Sequence, residues 1–170
     1  AENWLNAVTR RPGQSFGGYA FMWSWKQEHT HTWYSMFMPT GERTELVDAM
    51  RLAWTGQPHP HPAPRITRFA TEQPLDALTP GQSINVHLDW TCDRPVRLHV
   101  EARHVPPVFS VGGDFEELPD ILPDTSWQTT ATGVSITAPS TPGEYRIFLY
   151  IKTDDSTVAT ANLPILVKSL

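Results

Sequence analysis

From residue 83 to residue 167 the chain repeatedly alternates apolar and polar residues. A period of two confines such segments to extended strands with one buried face. In "SINVHLDW", Ile84, Val86, Leu88 and Trp90 alternate with Ser83, Asn85, His87 and Asp89. In "PVRLHVEAR", Val96, Leu98, Val100 and Ala102 alternate with Arg97, His99, Glu101 and Arg103. "GVSITA" repeats the pattern briefly, and in "EYRIFLYIK" Tyr145, Ile147, Leu149 and Ile151 fall on one face. "STVATANLPILV" follows after a turn. The segments are separated by "TPGQS", "CDRP", "STPGE" and "TDDS", whose Gly, Pro, Asp and Ser residues are turn formers.

About seven short strands within residues 66–170 predict a β-sandwich of immunoglobulin type. Tyr145 follows a Pro-Gly turn at the start of the penultimate predicted strand, the place of a tyrosine corner. Cys92 is the only cysteine, so there is no internal disulfide. Val86 and Ile147 are expected to fill the volume that a bridge occupies in antibody domains.

Ahead of the strands lies "TGQPHPHPAPR", residues 55–65, with four prolines that break helix and sheet and form a stiff connector. A domain border is expected here, giving segments 1–57 and 66–170 joined by a linker at 58–65. The first segment has a different pattern. "GGYAFMW" is a short apolar run led by glycines, consistent with a buried parallel strand. In "ERTELVDAMRLAW", Leu46, Val47, Met50, Ala53 and Trp54 share one face of a helix. Thr40 is the expected N-cap, Glu42 is expected in the first turn, and Gly56 follows the end. "ENWLNAVTRR" reads as a preceding short helix. This is an α/β pattern, and 57 residues of it cannot bury both faces of a parallel strand, so it is expected to belong to a larger body.

Net charge is −5 and no Lys/Arg run occurs, which argues against nucleic acid and anionic membrane as partners. No apolar run approaches the roughly 18 residues of a membrane span. "AENWLNAVTRR" does not read as a signal peptide. Seven tryptophans in 170 residues are a high share, and fit either a well-filled core or flat platforms for sugar rings. His29 and His31 form one H-x-H pair and His59 and His61 another, but no further ligand stands at convincing spacing, so no metal is expected. "GGDFEELPDILPD" carries Asp114, Glu116, Glu117, Asp120 and Asp124 without the spacing of a calcium loop, and reads as a solvated connection. There is no "GxSxG" and no Gly-rich phosphate loop; no cofactor is expected.

The stretch "GGYAFMWSWKQEHTHTWYSMFMPTGERTELVDAMRLAWTG" resembles the last βα unit of bacterial (β/α)8-barrel glycoside hydrolases, a clan of β-glucanases, β-mannanases and β-galactosidases. "GGDFEELP" and "GEYRIFLY…ATANLPILV" resemble the immunoglobulin-like module that follows the barrel in some of them. The resemblance implies a mainly β chain: an immunoglobulin-like β-sandwich preceded by an α/β remnant of a (β/α)8 barrel. In such enzymes the eighth strand often ends in a tryptophan that floors the subsite beside the scissile bond. Trp23 is the best match and Trp25 the second, with Phe21 and Met22 as strand packing and Trp33 and Met36 packing the return into the last helix. Lys26, Gln27 and Glu28 are candidates to bind sugar hydroxyls.

The catalytic carboxylates of these enzymes stand at the ends of the fourth and seventh strands, and no Asp or Glu here matches them; Glu28 does not. The chain alone is therefore expected to have no catalytic residue and no hydrolase activity. Its expected partners are an oligo- or polysaccharide, through the parent enzyme, and the rest of that barrel. Homo-oligomers are possible through exposed Trp and Met, and the expected location is extracellular or periplasmic. Two other readings stay open: a non-catalytic carbohydrate-binding or adhesion module, and a purely structural interaction domain.

Overall fold

A computed structural model of the chain describes residues 5–11, 13–27, 30–32, 35–106, 116–123 and 125–169. The protein is mainly β, with seven strands among the described residues. They are β1 (Arg65–Ala70), β2 (Ser83–Thr91), β3 (Arg97–His104), β4 (Trp127–Thr130), β5 (Gly133–Thr137), β6 (Gly143–Lys152) and β7 (Val158–Val167). Five of them fall where the alternation predicts them, and β1 and β4 carry no such signal. All pairings are antiparallel, in sheets ordered β1-β2-β5-β4 and β3-β6-β7. That order is the one in which a constant-type immunoglobulin sandwich arranges its strands.

The core lies between the sheets and takes one face of each. Ile84, Val86, Leu88, Val134 and Ile136 come from the first sheet, and Val100, Tyr145, Ile147, Leu149 and Ile151 from the second. Val86 and Ile147 are both fully buried there, as expected for a sandwich without a disulfide. Trp90 departs from the alternation: it closes β2 beyond the core and is exposed. The Tyr145 hydroxyl donates to the Thr141 carbonyl at 2.8 Å, closing the expected tyrosine corner. Between β4 and β5, Gly133 has φ +152, and a Cβ there would press on the Val86 carbonyl and lie 2.7 Å from the Leu88 nitrogen. Only glycine fits that approach.

The single α-helix among the described residues, α1, spans Glu45–Thr55. Its N-cap is Thr44, whose hydroxyl accepts from the Leu46 N–H at 3.3 Å, with Glu45 and Asp48 in the first turn. The expected cap at Thr40 is therefore one turn of chain too early. Thr40 instead donates to Glu42, whose carboxylate is held by Lys152 at 2.7 Å, outside the helix. Gly56 ends α1 as expected, with φ +70 and its N–H on the Leu52 carbonyl at 2.9 Å. Met50 and Ala53 form the buried face, while Trp54 stays exposed.

Two expectations upstream are not met. The stretch 17–23 is not a strand; among the described residues only isolated bridges precede β1. A parallel strand needs neighbours to take its N–H and C=O groups, and this segment has no parallel partner strand among the described residues. Phe21 accordingly is exposed rather than packed. The expected first helix is a single π-helical turn, Leu5–Thr9.

Candidate functional site

The residues named as sugar contacts differ in exposure. Trp23 is exposed and leans on the Phe37 ring, centroids 5.1 Å apart at 50°. Trp25 and Lys26 are half-buried. Gln27 is buried, and its Oε1 has no hydrogen-bond partner among the described residues. Glu28, His29, Trp33, Tyr34, Asp114 and Asp124 lie outside the described residues. Trp23 does have company in its exposure: Phe16 at 109%, Tyr19 at 103%, Phe21 at 66% and Trp23 itself at 68%.

The densest chemistry lies elsewhere, on the outer face of β3-β6-β7. Because Val100, Ala102, Leu149 and Ile151 point into the core, period two turns His99, Glu101, Arg103, Phe148, Tyr150 and Lys152 outward. That face is largely covered, with His99 left exposed at its edge. Phe148, Tyr150 and Val158 form a second apolar cluster with Met38, which the upstream segment lays over them. The segment is anchored by backbone bonds. Arg43 N–H donates to the Ser156 carbonyl at 3.1 Å, and Val158 N–H donates to the Arg43 carbonyl at 3.0 Å, extending the β7 edge.

Beneath this cover runs a buried polar relay. Arg103 Nε donates to Glu101 Oε1 at 2.7 Å, and the Tyr150 hydroxyl donates to the same oxygen at 2.9 Å. Tyr150 has then spent its one proton, so His31 Nε2, 2.7 Å away, is the donor to the Tyr150 oxygen. This makes His31 a neutral Nε2–H tautomer, with Nδ1 unpartnered among the described residues. Burial, and then the Arg103 charge, push the His31 pKa down to about 4, against a smaller upward pull from Glu101. Burial acts to raise the Glu101 pKa, but hydrogen bonds from Arg103 and Tyr150 outweigh it and hold the carboxylate below its usual range. Burial, reinforced by the Glu101 charge, raises the Tyr150 pKa. The relay therefore holds one anion, one cation, a neutral imidazole and a neutral phenol, and ties two pieces of chain together.

The Pro-rich stretch is held in the same way. The Arg43 guanidinium reaches Asp48, His59 and the His61 carbonyl, while Asp48 accepts the Ala63 N–H at 2.6 Å. Arg94 donates to the Pro62 carbonyl and pairs with Asp155. His59 Nδ1 accepts from the His61 N–H at 3.1 Å, which occupies a nitrogen that an H-x-H metal site would use. Among the described residues no three His, Cys, Asp or Glu side chains gather as a metal site. No helix among them is long and apolar enough to cross a membrane. An open groove of about 440 Å³ between α1 and the β1 and β7 edges is lined by Ser35, Thr44, Leu46, Ile66 and Thr160, with Glu45 its one carboxylate among the described residues.

The relay was missed by reading strands for alternation alone. The signal was present: "IFLYI" in β6 is apolar without a break, the mark of a strand buried on both faces. Neither a protein-family model nor a curated protein matches the chain.

Proposed function

We propose that the chain is the C-terminal portion of a polysaccharide-degrading glycoside hydrolase acting on a β-linked glucan. In this reading residues 1–57 are the last βα unit of a (β/α)8 barrel, and the sandwich is a structural accessory that braces it. The supporting observation is the exposure of Phe16, Tyr19, Phe21 and Trp23 within one short stretch. Apolar side chains displayed in a row mark a contact surface, and a glycine-led apolar segment without strand partners is what a barrel strand looks like when its neighbours are elsewhere. Trp23 is then the candidate floor of a sugar subsite, with Trp25, Lys26 and Glu28 beside it. The two carboxylates such chemistry needs would come from the rest of the barrel, so the chain is not catalytic alone. An extracellular or periplasmic location goes with this reading.

A second reading, a non-catalytic carbohydrate-binding or adhesion module, is favoured by the open Trp23 ring backed by Phe37. Two measurements separate them. Incubated with β-glucan, the chain is expected to release no reducing sugar; release of sugar overturns the first reading. Calorimetric titration with β-glucan oligosaccharides is expected to show no binding at millimolar concentration; binding there, abolished by Trp23→Ala, moves the assignment to the module. The coding sequence upstream is expected to hold the rest of a barrel whose usual length is roughly 250 residues.

A further inference from the structure

The outer face of β3-β6-β7 carries a cluster that the sandwich core does not use. Its apolar members, Met38, Phe148, Tyr150 and Val158, form a body separate from the main core, and one of the four comes from the upstream segment. Tyr150 stands at the centre. Its ring is buried, its hydroxyl is bonded to Glu101 on the sandwich and to His31 upstream, and Lys152 sits 5.7 Å from its ring centroid while pairing with Glu42. The upstream segment is also tied to the aromatic stretch, since Met36 N–H donates to the Met22 carbonyl at 3.1 Å and Phe37 meets Trp23 in a tilted ring contact. Downstream, Arg43, Asp48 and Arg94 hold the Pro-rich stretch at His61, Ala63 and Pro62.

We propose that Tyr150 is a positioning residue: through His31 it fixes residues 30–32 and 35–44, and with them the aromatic stretch 16–25, in one orientation on the sandwich. The Pro-rich stretch is then a strut and not a hinge. The sandwich is a mount that sets where Trp23 points, and not a freely tethered accessory. This rests on the reading above only for what the aromatic stretch touches.

The test uses the full chain without carbohydrate. Hydrogen exchange is followed by mass spectrometry in wild type and Tyr150→Phe. In wild type, peptides covering residues 35–55 are expected to be protected far beyond an isolated eleven-residue helix, which is marginal in water. Tyr150→Phe is expected to speed their exchange at least tenfold and leave β2 and β5, on the far sheet, unchanged. Spin labels at Cys92 and at Trp23→Cys are expected to give a narrow distance distribution that broadens in Tyr150→Phe. Coil-like exchange of residues 35–55 in wild type overturns the proposal even if the variant fails to fold. So does a broad distribution with Tyr150 intact, or an equal rise in exchange over both sheets. Each outcome is independent of the glycosidase reading, which only the hydrolysis and titration experiments decide.

Discussion

At the scale of single residues, His31 is the most consequential side chain of the first segment. It is neutral in the fold and takes up a proton on unfolding, because its pKa is near 4 when folded against an ordinary 6.5. Its contribution to stability is therefore complete above pH 6.5 and is lost as the pH falls toward 4. Between pH 7.5 and 5 the expected loss is about 2 kcal/mol, read by urea denaturation. This window lies above the range in which Glu101, Glu42 and Asp155, all held below their usual values, would protonate. His31→Gln should flatten the dependence there; an unchanged slope would show that His31 is solvated. Nothing local in "HTHTW" marks His31 apart from His29, because what distinguishes it is a tyrosine 119 positions away.

At the scale of elements, five of the sandwich strands, β2, β3, β5, β6 and β7, were legible because they carry their own period and their own turns. Their faces were less so. β2 and β5 bury one face and leave the other polar, as alternation predicts. β6 buries both, since the upstream segment covers its second side. The turn into β5 gives a sharp test of close packing. Gly133→Ala puts a Cβ against the Val86 carbonyl at a φ that side chains avoid, and is expected to cost about 3 kcal/mol. Chemical denaturation should show it, with the loss absent from Gly81→Ala once its left-handed strain of about 1 kcal/mol is allowed for, since a Cβ at Gly81 meets open space. In α1 the helix itself was readable, but its start was not. Thr40 and Thr44 are both plausible caps, and what separates them is that Glu42 between them is drawn away by Lys152 of β6.

For the whole molecule, the contrast is between a well-satisfied sandwich and an aromatic stretch left open. Replacing Phe16, Tyr19, Phe21 and Trp23 together by Ser is expected to leave the melting temperature within a few degrees, because none of the four is buried in the folded chain. The same change should abolish dye binding to exposed apolar surface and any concentration-dependent self-association seen by light scattering. A large drop in melting temperature would mean that the stretch packs on the sandwich in solution. The four prolines of residues 55–65 point to a stiff connector. What proline spacing cannot reveal is that Arg43 and Arg94 hold it from either side.

By itself the sequence determined β2, β3, β5, β6 and β7: strand periodicity and turn residues are local, and they predicted a sandwich with Tyr145 at its corner. It also determined that residues 1–57 follow other rules, since a glycine-led apolar run and an amphipathic helix do not belong to a meander of half-buried strands. Only the tertiary structure decided which second face is buried, where Tyr150 and Glu101 find partners, and that Trp23 is exposed while Trp25 is half-buried. The physical reason is range. Hydrogen-bonded periodicity is set by neighbours along the chain, whereas the burial of a polar side chain depends on whichever distant segment arrives with a matching donor or acceptor.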